Sequence, residues 1–336
     1  MAFIYPHRAR NRVSPSVHRE TVKGQPVITA TALTKRYGGK LAVDNLSFQV
    51  RTGQVTGFLG PNGAGKSTTM RLMLGLDRGQ GHTTFDGKPY RELADPGREV
   101  GALLEAKAFH PTRTARNHLR MLGAPSRIPD KRVDEVLELV GLTSVARKGP
   151  KSFSLGMGQR LGLAAALLGD PKVLILDEPA NGLDPQGINW LRGFLQAYAA
   201  AGRTVLVSSH LLAEMAQMAD HLIVIGQGRL ISDMATADFV AKSSLTSITV
   251  RSPEVERLAT LLRGRGAQVT DEPGGLLAVT GMDQPTIGDI AFGAGIALHE
   301  LATRVATLEE AFLEATEGSQ EFQASGVAAG AAGGAA

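Results

Sequence analysis

Residues 60–68 read GPNGAGKST, and this stretch decides the fold. An apolar, strand-like run at residues 55–59 precedes it, and a helix-like run at residues 69–74 follows it. Glycines at this spacing allow the backbone to take positive φ and to approach a ligand closely. Successive N–H groups then point into one concavity at the positive end of a helix, where they bind phosphate oxygens. The strand, the loop and the helix together predict a phosphate-binding loop.

Two side chains of this loop have predicted roles of their own. Lys66 places a compact positive charge near the β- and γ-phosphates of a nucleotide, and Ser67 offers a hydroxyl ligand to Mg²⁺. In a chain with 40 glycines the bare pattern could arise by chance, but the strand before it and the helix after it argue against chance. The predicted nucleotide-binding residues of the loop are Gly60, Pro61, Asn62, Gly63, Ala64, Gly65, Lys66, Ser67 and Thr68.

A second candidate site lies where an apolar run meets two carboxylates. Residues 172–178 read KVLILDE, and an entirely apolar strand is expected at the centre of a parallel sheet. Asp177 at the end of this strand can hold Mg²⁺ directly or through water. Glu178 points differently and can orient or deprotonate an attacking water. Apolar strands that end in two acids are common, so the functional interpretation depends on the phosphate loop.

A histidine follows the next apolar strand along the chain. Residues 204–207 form this apolar run, and His210 follows it after two serines. A lone histidine after a strand is more often structural than catalytic. His210 nevertheless follows the carboxyl end of a strand, where ligands bind in open α/β sheets. We therefore include His210 among the candidate catalytic residues.

The charge distribution limits the classes of partner. The net charge of +4 lies within residues 1–26, where five basic residues oppose Glu20, so residues 27–336 are formally neutral. A nucleic-acid-binding surface is therefore not expected in the folded part. The N-terminal arm is predicted to be a disordered, solvated leader, although it could contact anionic lipid headgroups. Its basic residues are Arg8, Arg10, Arg12, Arg19 and Lys23.

The composition is that of a soluble protein. No run approaches the ~18 consecutive apolar residues that span a bilayer. Residues 1–26 lack the apolar segment of a secretory signal. The absence of cysteine excludes disulfides and thiolate metal sites, and it fits a cytosolic location.

The residue patterns divide the chain into four predicted regions. Residues 1–26 form the basic leader, and residues 27–243 alternate strand and helix signals, which predicts an α/β domain with a largely parallel sheet. Residues 245–316 are predicted to form an accessory α+β domain. Residues 317–336 form a low-complexity tail that we expect to be flexible.

The accessory region has a predicted element order of its own. Its pattern is β-α-β-β-α-β, which is the ferredoxin-like arrangement, followed by one more helix. The predicted elements are strand Ser247–Arg251, helix Glu254–Arg263, strand Ala267–Asp271, strand Leu276–Thr280, helix Thr286–Phe292, strand Ile296–Leu301 and helix Leu308–Thr316.

Taken together, residues 27–243 resemble the nucleotide-binding domain of the ABC ATPase family, with six motifs in the expected order. Lys66 and Ser67 match the Walker A motif. Asp177 and Glu178 match the Walker B motif with its catalytic glutamate. Each match alone could be accidental, but independent accidents would not reproduce the order and the spacing.

The remaining motifs of the resemblance are shorter. Residues 154–159, SLGMGQ, fall where the family keeps its signature sequence, and taken alone they read as a glycine-rich turn before a helix at residues 160–168. Asp184 belongs to a GLD sequence that resembles the D-loop, and His210 matches the switch histidine. Tyr37, in KRYG, lies where the family stacks an aromatic ring on adenine, although an isolated tyrosine usually just packs.

Two sets of positions depart from the family pattern. The signature has Leu155 and Met157 in place of the usual glycine and glutamine. Ser154 and Gly156, which are expected to face the γ-phosphate of a nucleotide on a second subunit, remain. Glu105 replaces the Q-loop glutamine and could bind Mg²⁺ through oxygen, but it adds a negative charge beside the phosphates. Both departures, and the extra domain, resemble the prokaryotic branch linked to bacitracin- and daunorubicin-type drug export.

The resemblance implies a fold, cofactors and partners. The expected fold is that of a P-loop NTPase, with a RecA-like parallel sheet and the antiparallel β and helical subdomains of the ABC type. The expected ligands are ATP and Mg²⁺, with each ATP between Lys66 of one copy and Ser154 of another, in a homodimer or with a second ATPase subunit. The expected permease is a separate integral-membrane protein that docks on residues 105–148, which would place the chain at the cytoplasmic face of the membrane.

Several functions stay open at this point. The leading interpretation is an ATPase that powers export of a drug-like or amphipathic molecule. A soluble ABC ATPase acting on nucleic acid or ribosomes is disfavoured by the single cassette, the absence of sustained heptads and the neutral folded part. Residues 245–315 could sense a ligand or stabilise a dimer, because ferredoxin-like domains have many functions. Neither the transported molecule nor the direction of transport follows from the sequence.

Overall fold

The computed structural model describes residues 24–105, 109–110 and 112–317. The predicted flexible tail lies outside this part of the chain, except for Glu317, and so do the basic residues of the predicted leader. The first strand begins at Pro26, at the end of the leader.

The secondary structure alternates strands and helices through most of the chain. The strands, in chain order, are β1 Pro26–Tyr37, β2 Lys40–Arg51, β3 Val55–Leu59, β4 Gln80–Phe85, β5 Val100–Leu103, β6 Val173–Leu176, β7 Thr204–Ser208, β8 His221–Gly226, β9 Arg229–Ala235, β10 Ser247–Arg251, β11 Gln268–Glu272, β12 Leu276–Thr280 and β13 Glu300–Arg304. The α-helices are α1 Lys66–Met73, α2 Pro96–Glu99, α3 Ala115–Gly123, α4 Asp130–Leu139, α5 Leu155–Leu167, α6 Pro185–Ala200, α7 Leu212–Met218, α8 Thr236–Ala241, α9 Val255–Arg263, α10 Gln284–Gly293 and α11 Leu308–Ala315.

The central sheet has the strand order β5-β6-β7-β3-β8-β9. Its strands run parallel, except that β9 is antiparallel to β8. The strands β3, β6 and β7 are buried along their whole length, as expected for parallel strands covered on both faces. These three strands are neighbours, and the phosphate loop, the two carboxylates and His210 follow their carboxyl ends. The sheet therefore brings all of these groups to one edge.

Alternate residues of the central strands enter two different cores, because side chains of a strand point to opposite faces. Leu174 and Leu176 of β6 face a core shared with α3, α4, α5 and α6. Val173 and Ile175 face a core shared with α1 and with a second sheet, of order β2-β1-β4, which is antiparallel. The parallel core, the antiparallel sheet and the helical layer confirm the predicted ABC-type P-loop fold.

The third sheet, of order β11-β12-β10-β13, has antiparallel pairs and a separate core. Its elements follow the predicted order β-α-β-β-α-β, while the ferredoxin-like assignment stays a prediction. The last strand was predicted at Ile296–Leu301 and lies at Glu300–Arg304 instead. The reason is that the Ile296 N–H still bonds to the Ala291 carbonyl at the end of α10, so Ile296 enters the core from a loop.

The last helix, α11, packs against the first domain rather than against the third sheet. Leu308 and Phe312 are buried in the core that contains Met215 of α7 and Phe239 of α8. The Glu314 carboxylate accepts hydrogen bonds from the hydroxyl of Ser243, at 2.6 Å. Removal of everything after residue 243 would therefore uncover apolar surface of the first domain.

Among the helices of the described residues, none combines the length and the apolar character that a bilayer crossing requires.

Candidate functional site

The phosphate loop has the backbone that its glycines predict. Gly63 and Gly65 take φ of 81° and 101°, a region that other residues rarely enter. A Cβ atom on Gly65 would lie 2.4 Å from the Ala42 carbonyl oxygen, and one on Gly60 would lie 2.5 Å from the Ile225 carbonyl oxygen. Side chains do not fit at these two positions, so the loop keeps a backbone that exposes N–H groups.

Lys66 is the first residue of α1 and turns back over the loop. Its Nζ donates to the Gly60 carbonyl at 2.7 Å and lies 3.4 Å from the Pro61 carbonyl. Burial lowers the pKa of the Lys66 amine, and the negative charges of Glu178 and Asp177 act in the opposite direction. The amine is therefore partly desolvated, and its charge lies beside the backbone of the phosphate loop.

A neighbouring strand holds the carboxylate of Asp177 and the backbone of Glu178. Asp177, at the end of β6, is largely buried, and its Oδ1 accepts a hydrogen bond from the Ser208 hydroxyl at 2.5 Å. The same Ser208 oxygen accepts the backbone N–H of Glu178 at 2.9 Å. Ser208 ends β7, which pairs with β6. Ser208 is not among the residues predicted from the sequence, where its only signal is a hydroxyl at the end of an apolar strand.

Glu178 and His210 contact each other directly. The Glu178 Oε2 lies 2.7 Å from Nδ1 of His210 and accepts the His210 backbone N–H at 3.2 Å. Glu178 has φ of 49°, which is uncommon for a residue other than glycine. Such backbone conformations cluster at functional sites, because the surrounding structure must hold them. The structure therefore brings these two side chains together at one edge of the sheet, and their catalytic roles stay predictions.

A cleft of about 380 Å³ brings most of the predicted nucleotide-binding residues together. Tyr37 lines one side, residues 62–68 form the floor, and Asp177 with Glu178 form the opposite side. Gly60 and Pro61 take part through the carbonyl oxygens that accept the Lys66 amine. Ser154, Leu155, Gly156, Asp184 and Glu105 do not line this cleft.

The signature residues lie at the start of a helix rather than in a turn before one. The helix was predicted to begin at Arg160, but α5 begins at Leu155. The reason is that the Ser154 hydroxyl accepts the Met157 N–H at 3.2 Å and caps the helix. Ser154 itself is exposed, so its side chain is accessible to a second molecule.

A second cavity, of about 430 Å³, adjoins the signature helix. It is lined by Leu155, Gln159 and Gly182 together with Asp177 and Glu178, which also line the first cleft.

Asp184, the D-loop residue, does not line this cavity and caps α6 by accepting the N–H of Gly187 at 2.9 Å. The D-loop position is therefore attached to the helix that follows it.

A chain of polar contacts extends from Tyr37 to Glu105. The Tyr37 hydroxyl donates to Asp77 at 2.8 Å, and Asp77 accepts two hydrogen bonds from Arg71, at 3.2 and 3.3 Å. Arg71 and Tyr37 hold the pKa of the Asp77 carboxyl below its usual value. The Glu105 carboxylate lies 3.7 Å from the Arg71 guanidinium and is exposed. Glu105 does not line the cleft of the phosphate loop, so the structure does not bring it there. Asp77 and Arg71 were not found from the sequence.

The residues of the first cleft fit an Mg²⁺ ion that arrives with a nucleotide. Among the described residues, no group of three or more His, Cys, Asp or Glu could hold a metal by itself. Mg²⁺ usually binds through one or two protein ligands plus phosphate oxygens and water. Asp177 and Ser67 line the same cleft and supply a carboxylate and a hydroxyl. This donor set is too small for a free metal site and suitable for a metal–nucleotide complex.

Two family profiles match the chain. A profile described as "ABC transporter" matches residues 43–181. A profile described as a domain of unknown function matches residues 246–309, which lie within the predicted accessory domain.

Curated relatives and solved structures agree with the first profile. YhcH of Bacillus subtilis (strain 168), an uncharacterised ABC transporter ATP-binding protein, is 36% identical over 300 residues, which is 88% of this chain and 97% of that protein. Bacitracin transport ATP-binding protein BcrA of Bacillus licheniformis is 43% identical over 217 residues, 62% of this chain and 69% of BcrA. The dimeric ATP-binding cassette MJ0796, solved with ADP and Pi, shares the fold with a TM-score of 0.57 at 22% identity, over 62% of this chain and 98% of that chain.

Proposed function

Because this chain belongs to the ATP-binding proteins of ABC transporters and hydrolyses ATP, we propose that it powers export of a drug-like or amphipathic molecule through a separate membrane permease. The observation that supports a motor at this site is the single cleft shared by the phosphate loop, Asp177 and Glu178. The substrate class is supported by the relative named for bacitracin transport, and the direction of transport is part of the proposal. In this proposal the chain works at the cytoplasmic face of the membrane.

The phosphate loop binds the triphosphate of ATP in this mechanism. N–H groups of residues 62–68 contact phosphate oxygens at the N-terminus of α1, where the helix dipole favours negative charge. Lys66 exchanges its hydrogen bond to the Gly60 carbonyl for the β- and γ-phosphates. A desolvated amine interacts more strongly with phosphate than an exposed one, because its charge is less screened.

Glu178 positions the attacking water, and His210 positions Glu178. The contact of 2.7 Å between their side chains fixes the carboxylate direction. In this mechanism His210 also donates to the γ-phosphate and stabilises the charge of the leaving group. Asp177 and Ser67 would hold Mg²⁺, which neutralises charge on the β- and γ-phosphates when it is bound.

A second subunit completes the site. Ser154 and Gly156 lie outside the cleft that contains Lys66 in the same chain, and Ser154 is exposed. In a head-to-tail dimer they contact the γ-phosphate of ATP bound to the other copy. The related fold of MJ0796 is described as dimeric, which supports this arrangement. ATP then holds the two copies together, and hydrolysis removes the contact.

Tyr37 is expected to contribute to ATP affinity through its ring rather than through its hydroxyl. The ring is half exposed at the side of the cleft, where adenine can stack on it. Tyr37→Ala should weaken ATP binding by about 1–3 kcal/mol, the usual value of base–aromatic stacking. Tyr37→Phe keeps the ring and loses the hydroxyl contacts with Asp77 and Thr68, so its affinity should stay close to the parent's. Nucleotide titration measures both variants, and equal losses would contradict stacking.

Copurification from detergent-solubilised membranes tests the assignment to a transporter. The chain should copurify with the membrane protein encoded beside it. Leu122→Asp on α3, within the predicted docking segment, should abolish this association, because it places a charge on an exposed apolar side chain. Leu230→Asp on β9 is the matched control, since Leu230 is similarly exposed and lies outside that segment. Absence of any membrane partner, or equal effects of the two variants, would count against the proposal.

A further inference from the structure

Gln159 is a buried polar residue that the proposed mechanism has not used. It lies on α5 and is only 3% exposed. Its Nε2 donates to the backbone carbonyl of Glu178 at 2.7 Å. A carbonyl oxygen can only accept, so the orientation of the amide is determined and Oε1 must face away. Oε1 has no hydrogen-bond partner among the described residues, which is rare for a buried acceptor.

Glu178 has a backbone conformation that needs external contacts. Its φ of 49° lies in the left-handed region, which disfavours side chains. Its N–H donates to Ser208, and its carbonyl accepts from Gln159 and, at 3.2 Å, from the Asn181 N–H. Of the two groups that donate to this carbonyl, the Gln159 amide is the one that belongs to a side chain. The next residue is Pro179, whose lack of an N–H removes one further backbone contact.

We propose that Gln159 is a positioning residue for the carboxylate of Glu178, and that it connects the signature helix to this carboxylate. The inference rests on the proposed role of Glu178 in orienting water. By holding the carbonyl, Gln159 fixes the peptide plane that follows Glu178. The direction of the Glu178 side chain depends on that backbone, together with the contact to His210.

The connection has a consequence for a dimer. Ser154 caps the N-terminus of α5, and Gln159 lies five positions later, about 7.5 Å along the helix axis. In the proposed head-to-tail dimer, Ser154 contacts the ATP of the other copy, while Glu178 acts on the ATP of its own copy. A shift of α5 on contact with the first ATP therefore moves the backbone of Glu178 at the second. The hydrogen bond from the Gln159 side chain to the Glu178 carbonyl transmits this shift.

Gln159→Met tests the proposal in the full-length ATPase. Methionine has nearly the same length, removes the donor, and loses nothing at the unpartnered Oε1. The variant should lower kcat about 10- to 100-fold at saturating ATP, because small misplacements of a catalytic group cost that much. Its ATP affinity, measured by nucleotide titration, should equal that of the parent, since the phosphate loop does not contact Gln159.

Leu163→Ala is the stability control. Leu163 is buried on the same helix and does not bond to Glu178, so its truncation should lower the melting temperature while kcat stays near the parent value. A comparable fall in kcat for Leu163→Ala would mean that Gln159 matters only for helix stability, and the proposal would be wrong. Parent-like kcat in Gln159→Met would also overturn it.

Gln159→Leu keeps the proposal testable if the methionine variant does not fold. Leucine is apolar and has no donor for the Glu178 carbonyl, so the same fall in kcat is expected. Full activity of this variant would contradict the proposal. A separate result, full turnover by Glu178→Gln, would instead refute the assigned role of Glu178 itself. The failures of the inference and of the proposed function are therefore distinguishable.

Discussion

Lys66→Ala is expected to weaken ATP binding about 100-fold. The Lys66 amine is partly desolvated and lies beside the backbone of the phosphate loop, with its pKa lowered by burial. Charge-assisted hydrogen bonds contribute roughly 1.5–3 kcal/mol each, and two phosphates lose their contact at once. Each 1.4 kcal/mol corresponds to about a factor of ten in affinity. Titration with a fluorescent ATP analogue measures the change.

Lys172→Ala is the matched control for this prediction. Lys172 immediately precedes the strand β6, which Asp177 follows. Its side chain is exposed and pairs with Glu99 at 3.2 Å rather than with groups of the cleft. Its removal should leave ATP affinity unchanged, because exposed ion pairs contribute little. If Lys66→Ala bound ATP as tightly as the parent, the assignment of the phosphate loop would be wrong.

Glu178→Gln is expected to retain ATP binding and to lower kcat by about 10²–10⁴-fold, the usual range for loss of a general base. Glutamine has the same shape, and its amide oxygen can still accept the His210 N–H, so the cleft should keep its geometry. ATP should then accumulate without turnover. In the proposed dimer, this should trap two copies around ATP, which size-exclusion chromatography with and without ATP detects.

The control for the glutamate variant is Glu99→Gln, which neutralises a partly exposed carboxylate that does not line the cleft. We expect its turnover and its oligomeric state to match the parent. Full turnover by Glu178→Gln would remove Glu178 from its assigned role. Loss of ATP binding by the same variant would instead indicate that the carboxylate stabilises the cleft.

The main parts of the site were predictable from the sequence because each of them is local. The phosphate loop is nine consecutive residues between one strand and one helix, and the positive φ of Gly63 and Gly65 is a property of the local backbone. The carboxylates Asp177 and Glu178 follow an apolar run whose burial is evident from its composition. The order of such segments indicated a parallel α/β sheet, and the structure confirms this fold.

Local sequence signals did not predict the exact ends of some helices and strands. The start of α5 at Leu155 depends on the Ser154 cap, which competes with a turn that the glycines also allow. The last strand lies at Glu300–Arg304 rather than at the predicted residues, because Ile296 is buried in the core without pairing in a strand. Periodicity identifies which residues are buried, but it does not distinguish a strand from a loop that enters the core.

The sequence by itself determined the phosphate loop, the acidic strand end, the histidine that follows the next strand, and the class of fold that combines them. Only the tertiary structure decided that Ser208 holds the Asp177 carboxylate and the Glu178 backbone N–H, that Gln159 holds the Glu178 carbonyl, and that α11 packs on α7. Contacts of this second kind join residues 19 or more positions apart, on neighbouring strands or on elements that pack together. They depend on how elements pack, because a hydrogen bond between distant residues leaves no periodic pattern in either segment.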